Sequence, residues 1–278
     1  MERDRETVKP PSLFLLALEG RALWELATTY ATSPILDRGP QGDGHPVMVL
    51  PGFVASGIST RPLRKFLQRN GWRSHCWKLG RNFGLDPHLE AELIERLRQL
   101  HRRYRRKVSL VGWSLGGVYC RWLANHKPEW VRCVISLGSP FNDDHRANHA
   151  WRLFEQLSGQ TLDQIDPETY RMVRENPPVP TTAIYSCGDG ITAWPTCVLE
   201  ESEIAENIRV PGSHLGLGVN PLALHAIADR LAQPEGSWRR FERSGTRRFL
   251  YPEPVGRSRL RQPGRPDAVF PTDFPTST

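Results

Sequence analysis

Closely spaced cysteine pairs are missing from this 278-residue chain. Its five cysteines (Cys76, Cys120, Cys133, Cys187 and Cys197) form no C-x-x-C and no His/Cys cluster, so neither a zinc site nor a disulfide scaffold is expected. Cys187 and Cys197 bracket one loop and would bridge only in an oxidising compartment; two free thiols are the simpler reading. Also lacking is an apolar run of membrane-spanning length. Leu13–Leu18 stops at Glu19, too short to cross a bilayer and too short for a signal h-region with its cleavage site. A cytoplasmic location is the resulting expectation. Lys and Arg outnumber Asp and Glu by 37 to 30, but the excess is concentrated late in the chain. From Gln233 onward nine arginines face five acids, which supplies +4 of the formal +7. The basic run His101–Lys107 closes a helix, where cations suit the helix dipole. No basic patch is interleaved with stacking aromatics in a known module, so a nucleic-acid partner is not expected. No sequence repeat and no cofactor or metal motif appears.

What is present centres on Val108–Gly117, VSLVGWSLGG. A β-branched run enters Gly112-Trp113-Ser114-Leu115-Gly116, and a helical stretch leaves it. Strand, sharp turn and helix with a serine at the bend is the nucleophile-elbow pattern. The flanking glycines relieve crowding where strand and helix backbones meet, and the hydroxyl is held out above the sheet.

Later strand-like runs end in residues that suit a serine. Val131–Leu137 runs into Gly138-Ser139-Pro140. Thr181–Ser186 leads into Cys187-Gly188-Asp189-Gly190, and Asn207–Val210 into Pro211-Gly212-Ser213-His214. Asp189 and His214 therefore fall on successive strand-end loops in the order Ser, Asp, His. In that arrangement His214 takes the proton of Ser114 and returns it to the leaving group, while Asp189 fixes the imidazole tautomer. Asp143 and Asp144 are the competing acids, and Asp189 also reads as an ordinary turn aspartate. A histidine base predicts activity rising with pH through about 6.5. Two backbone N–H groups must meet the developing oxyanion. Leu115, the residue after the serine, is one expected donor; Phe53, in the Pro51-Gly52-Phe53 loop after the run beginning at His45, is the other. Trp113 and Phe154 are the expected substrate contacts.

Together V-M-V-L-P-G-F, G-W-S-L-G-G, S-C-G-D-G and G-S-H resemble the α/β-hydrolase superfamily, on its bacterial lipase/esterase-like branch, from roughly Gly42 to Leu231. The resemblance implies a mostly parallel central sheet flanked by helices, with a small helical cap. It also implies a Ser114-Asp189-His214 triad, an oxyanion hole at Phe53 and Leu115, no cofactor, and cleavage of small-molecule or lipid carboxylic esters through an acyl-enzyme. Many lipases carry His-Gly in the early loop where Pro51 stands here. Acyl transfer or thioester hydrolysis would use the same triad, and a catalytically silent binding protein is the alternative from another class.

The remaining chain divides into a helical segment (1–40), a catalytic domain (41–233) and a basic Pro/Arg-rich tail (234–278) expected to be disordered. Pro11 to about Thr29 reads as an amphipathic helix with Leu13, Leu16, Leu23, Trp24 and Leu26 toward one side, covering the edge of the domain; weak membrane-surface contact is the sharper alternative. Arg61-Pro62 opens a helix carrying Leu63, Phe66 and Leu67. Ser74–Leu79 is strand-like, and Asp86-Pro87 starts a long helix. The stretch 141–180, with helical periodicity at Trp151, Leu153, Phe154 and Leu157, is expected to form the cap.

Overall fold

Alternating apolar runs and helices fold around one six-stranded sheet in a computed structural model that describes residues 8–84, 87–142, 147–151, 155–156 and 166–255. The strands are β1 (Pro46–Leu50), β2 (Arg73–Cys76), β3 (Val108–Trp113), β4 (Val131–Leu137), β5 (Thr181–Tyr185) and β6 (Ala205–Arg209). Their spatial order is β2-β1-β3-β4-β5-β6, and every neighbouring pair is parallel. β1 and β5 are buried at every position, as strands covered by helices on both faces must be. Register sets Leu50 beside Gly112 and Trp113 beside Leu137, so the strands deliver their following loops to one edge of the sheet. Strand order reverses between β1 and β3, and ligands of open parallel sheets bind at such switch points.

Helix α3 (Arg61–Arg69) and the helix Pro221–Leu231 cover one face, packing Leu63, Phe66 and Leu67 with Leu224, Ile227 and Leu231 around Val47, Val111 and Ile135. Helix α4 (Pro87–Tyr104) and α5 (Leu115–His126) cover the other through Leu93, Leu97, Leu100, Trp122 and Leu123. Helix Pro167–Arg174, from the segment read as a cap, packs beside α5. Buried Arg121 of α5 stitches it there, donating from Nε to the Val173 carbonyl (2.7 Å) and from one terminal nitrogen to the carbonyls of Arg174 and Glu175 (3.0 Å each). This end of the segment flanks the sheet. Phe154 and Leu157 lie outside the described residues.

Two stretches depart from the sequence reading. The first is N-terminal: α1 (Leu13–Ala17), a 3-10 turn (Leu18–Arg21) and α2 (Ala22–Leu36) do lie on the domain, but turned over. Leu13 is 75% exposed, and Leu23 and Trp24 are 77% exposed. The exposed face of α2 continues through Ala27, Tyr30, Ala31, Pro34 and Ile35 without a charge. Glu19, Arg21, Glu25 and Thr29 face the domain instead, because the surface beneath them is loop backbone whose N–H and C=O groups need partners. Leucines cannot supply those partners.

The second is the segment after Gln233, which is ordered into the fold as far as Val255. Phe241 and Tyr251 sit in the main core, edge to face with ring centroids 4.7 Å apart. Tyr251 donates its hydroxyl to the Leu222 carbonyl (3.0 Å), and the Phe241 N–H donates to buried Glu206 (2.7 Å). Two anchors spaced ten residues apart give no hydrophobic period, so composition hides them. Residues 256–278 lie outside the described set. Among the described residues all five cysteines are free, and no helix is long and apolar enough to cross a membrane.

Candidate active site

Ser114 joins β3 to α5 with φ 53° and ψ −125°, a left-handed backbone that non-glycine residues rarely hold. Strain of this kind costs on the order of 1–3 kcal/mol and persists only where the surroundings impose it. The glycines on either side are what permit it. A Cβ on Gly112 would lie 2.3 Å from the Gly116 carbonyl oxygen, and one on Gly116 would lie 2.4 Å from that of Leu50. Strand, turn and helix thus interlock at backbone distance. The Ser114 N–H donates to the Leu137 carbonyl at 2.8 Å, which ties the elbow to the end of β4. The serine itself is half-buried.

Asp189, after β5, and His214, after β6, meet in the interior. Asp189 Oδ2 lies 2.6 Å from His214 Nδ1, with both residues no more than 4% exposed. The second oxygen, Oδ1, accepts the N–H groups of Ile191 (2.9 Å) and Thr192 (2.7 Å), so the carboxylate has no freedom to rotate away. Burial disfavours the imidazolium, but the charge and hydrogen bond of Asp189, joined by the charge of Glu19, outweigh it and raise the His214 pKa above the ordinary histidine value.

Two contacts bring this pair to the elbow. Trp113, adjacent to Ser114, donates its indole N–H to the His214 carbonyl (3.0 Å) and lies against Gly218. Gly138 follows the residue that accepts the Ser114 amide. At φ +53° it sits so close to the pair that a Cβ would be 3.1 Å from Asp189 Oδ2 and 3.2 Å from His214 Nδ1. Trp113, expected as a substrate contact, has the histidine loop among its described neighbours, at His214 and Gly218. Gly138 reads in the sequence only as a loop start; a glycine closing the strand between the elbow and acid strands is the available signal.

The loop after β1 is pinned beside the serine. A Cβ on Gly52 would lie 3.1 Å from Ser114 Cβ. Buried Asn82, which sequence reasoning passed over, donates from Nδ2 to the Pro51 carbonyl (2.9 Å), accepts the Tyr119 hydroxyl (2.9 Å) and receives the Val54 N–H on its own carbonyl (2.6 Å). Phe53 is held between those anchors. Leu115 opens α5, where the first amides of a helix have no intrahelical acceptor. An open cleft of about 470 Å³ lies farther along this side, lined by Ser56, Ile58, Arg61, Arg64, Cys76 and Lys78 among others; none of Ser114, Asp189 or His214 lines it. Asp143, Asp144 and Phe154 fall outside the described residues. Among the described residues no cluster of three or more His, Cys, Asp or Glu side chains is arranged to hold a metal.

Residues 45–169 match the family model described as the alpha/beta hydrolase fold. Comparison with curated proteins returns no sequence relative. Among solved structures, the chain is similar to lipase B of Aspergillus fumigatus, at 19% identity and TM-score 0.51, covering 72% of this chain and 56% of that one. The chain thus spans little more than half the length of that lipase. It is also similar to the pyrethroid hydrolase PytH, at 19% identity and TM-score 0.50, over 69% of this chain and 99% of that one. At such identities the likeness speaks for the fold. Sheet topology and family match together give the chain the α/β-hydrolase fold.

Proposed function

We propose that the protein is a serine hydrolase cleaving carboxylic esters of small molecules or lipids through an acyl-enzyme on Ser114. The observation that carries this reading is the buried 2.6 Å contact between His214 and Asp189. It is joined by a serine held at positive φ whose chain neighbour Trp113 donates to the His214 carbonyl. In the proposed cycle the Ser114 hydroxyl attacks the ester carbonyl and His214 Nε2 takes its proton. The tetrahedral oxyanion is met by the N–H groups of Leu115 and Phe53, each donor of this kind being worth about 10²–10³ in rate. Collapse expels the alcohol, protonated by His214, and leaves the acyl group on Ser114. Water, deprotonated by His214, then attacks the acyl carbon and releases the acid. Asp189 holds the Nδ1–H tautomer and stabilises the imidazolium. Trp113 acts by bracing the histidine loop.

Similarity in fold to a lipase and to a pyrethroid hydrolase supports an ester substrate. A panel of p-nitrophenyl esters of graded acyl length tests it. Turnover is expected for at least one chain length and is expected to vanish in Ser114→Ala; a Ser114→Ala protein that retains turnover refutes the reading. Weak membrane-surface contact belongs to the same reading and is supported by the apolar outer face of α2. Co-sedimentation with lipid vesicles checks it, and a Trp24→Glu variant that sediments as the native chain does would count against it.

A further inference from the structure

One buried carboxylate of the N-terminal segment spans both catalytic loops. Glu19, 5% exposed in the 3-10 turn between α1 and α2, accepts the Gly190 N–H (2.7 Å) and the His214 N–H (2.9 Å) on Oε1, and the Leu215 N–H (2.8 Å) on Oε2. Gly190 adjoins Asp189, so a single side chain grips the acid loop at one end and the base residue itself at the other. The partners are 171 to 196 residues away along the chain. Arg21 donates to the carbonyls of Gly188 and Gly212 (2.9 Å for the latter), one on each loop. Glu25 accepts the N–H (2.8 Å) and hydroxyl (2.7 Å) of Ser213 on Oε1 and the Asn220 amide (3.0 Å) on Oε2.

The loops are shaped to receive this segment. A Cβ on Gly190 would lie 2.2 Å from the Leu15 carbonyl oxygen, and a Cβ on Gly216 would lie 2.2 Å from Glu25 Oε2. Gly188 and Gly212 are crowded by Arg21 and Glu25 in the same way, at 2.8 and 2.9 Å. Four glycines on two loops thus make room for Arg21, Glu25 and the Leu15 backbone of one short segment. An edge-covering helix would need none of this.

We propose that Glu19 is a positioning residue of the triad, fixing the acid and base loops at their working separation and placing a second negative charge behind His214. The inference rests on the Ser114-His214-Asp189 reading. Asp189 orients the ring from the Nδ1 side, and Glu19 holds the backbone from which the ring hangs. Charged groups facing His214 are Asp189 from the acid loop and Glu19 from the N-terminal segment; Arg21 and Glu25 bind the neighbouring residues 212 and 213. When His214 takes the proton of Ser114, both carboxylates stabilise the resulting cation.

The test is the pH dependence of fluorophosphonate labelling in the full-length protein, for the native chain, Glu19→Gln, Glu19→Asp and Glu25→Gln, with thermal unfolding measured alongside. Glu19→Gln keeps the size and removes the charge. Its labelling rate on the plateau is expected to fall about 10- to 100-fold, the scale of a hydrogen-bonded charge, and its acid limb is expected to move to lower pH. Glu19→Asp keeps the charge and shortens the reach, so it is expected to slow labelling while leaving the limb near its native position. Glu25→Gln, whose bonds go to Ser213 and Asn220, is expected to lower the melting temperature with the limb unmoved. If Glu19→Gln does not fold, a Glu19→Asp plateau rate within twofold of native overturns the proposal, and a slowed one supports it. In a folded Glu19→Gln, an unmoved limb with a native plateau rate overturns it. Labelling that survives Ser114→Ala would instead strike down the triad reading itself, and this inference with it.

Discussion

Replacing Asp189 by asparagine separates shape from charge where the site is most tightly specified. Oδ1 of the native residue accepts two backbone N–H groups, from Ile191 and Thr192, and Oδ2 meets His214 Nδ1 at 2.6 Å. The asparagine carbonyl must take the Oδ1 position, because an NH2 there would face two N–H donors in a buried loop. Its NH2 then points at Nδ1. The imidazole can answer only by accepting at Nδ1, which moves its proton to Nε2, toward the serine. A base already protonated on that side cannot take a proton from Ser114. The expected loss is about 10⁴ in turnover, or roughly 5.4 kcal/mol at about 1.36 kcal/mol per decade. Folding is expected to survive, since both loop hydrogen bonds on Oδ1 are kept. Second-order rates of fluorophosphonate labelling, with p-nitrophenyl acetate turnover as a second readout, measure the loss. A variant labelling within tenfold of the native rate refutes the reasoning, as does a loss of this size in Asp143→Asn or Asp144→Asn instead.

Gly138→Ala is expected to slow labelling and to cost about 1–2 kcal/mol of stability from its left-handed backbone alone, since the new methyl would press on Asp189, His214 and Leu217; native labelling and melting would contradict that geometry. The acid limb of kcat/KM is expected above pH 6.5, and not at it, because a raised His214 pKa means the neutral base is lost earlier as pH falls. A pH profile with its limb below that value would contradict the balance of charges around the imidazole. Phe241→Ala is expected to cost about 3–5 kcal/mol in denaturant unfolding, the scale for a buried phenylalanine; a loss under about 1 kcal/mol would mean this segment is not part of the core.

The elbow was legible in the sequence because its demands are local. Gly112, Gly116 and Ser114 lie within five residues, and each glycine answers a backbone contact inside that turn or with the adjacent strand. Chain order did the same for Asp189 and His214: each follows a buried strand, and parallel strands deliver their loops to one edge. Glu19 was not legible, since its partners are 171 or more residues away and the leucines around it suggest a helix facing inward. The exposed Leu23 and Trp24 show why apolar periodicity alone misorients such a helix. Periodicity reports one apolar side, not which surface that side meets, and here the surface beneath was polar backbone. Phe241 and Tyr251 were missed for the opposite reason, being isolated apolar residues in an arginine-rich stretch. Asn82, holding the loop of Phe53 by hydrogen bonds to Pro51 and Val54, looked like any loop asparagine.

Peptide mass spectrometry after fluorophosphonate treatment measures whether Ser114 is the nucleophile. One equivalent of adduct per chain is expected, located on Ser114 and absent from Ser114→Ala. An adduct on another serine, or an unmodified protein that still hydrolyses esters, would contradict it.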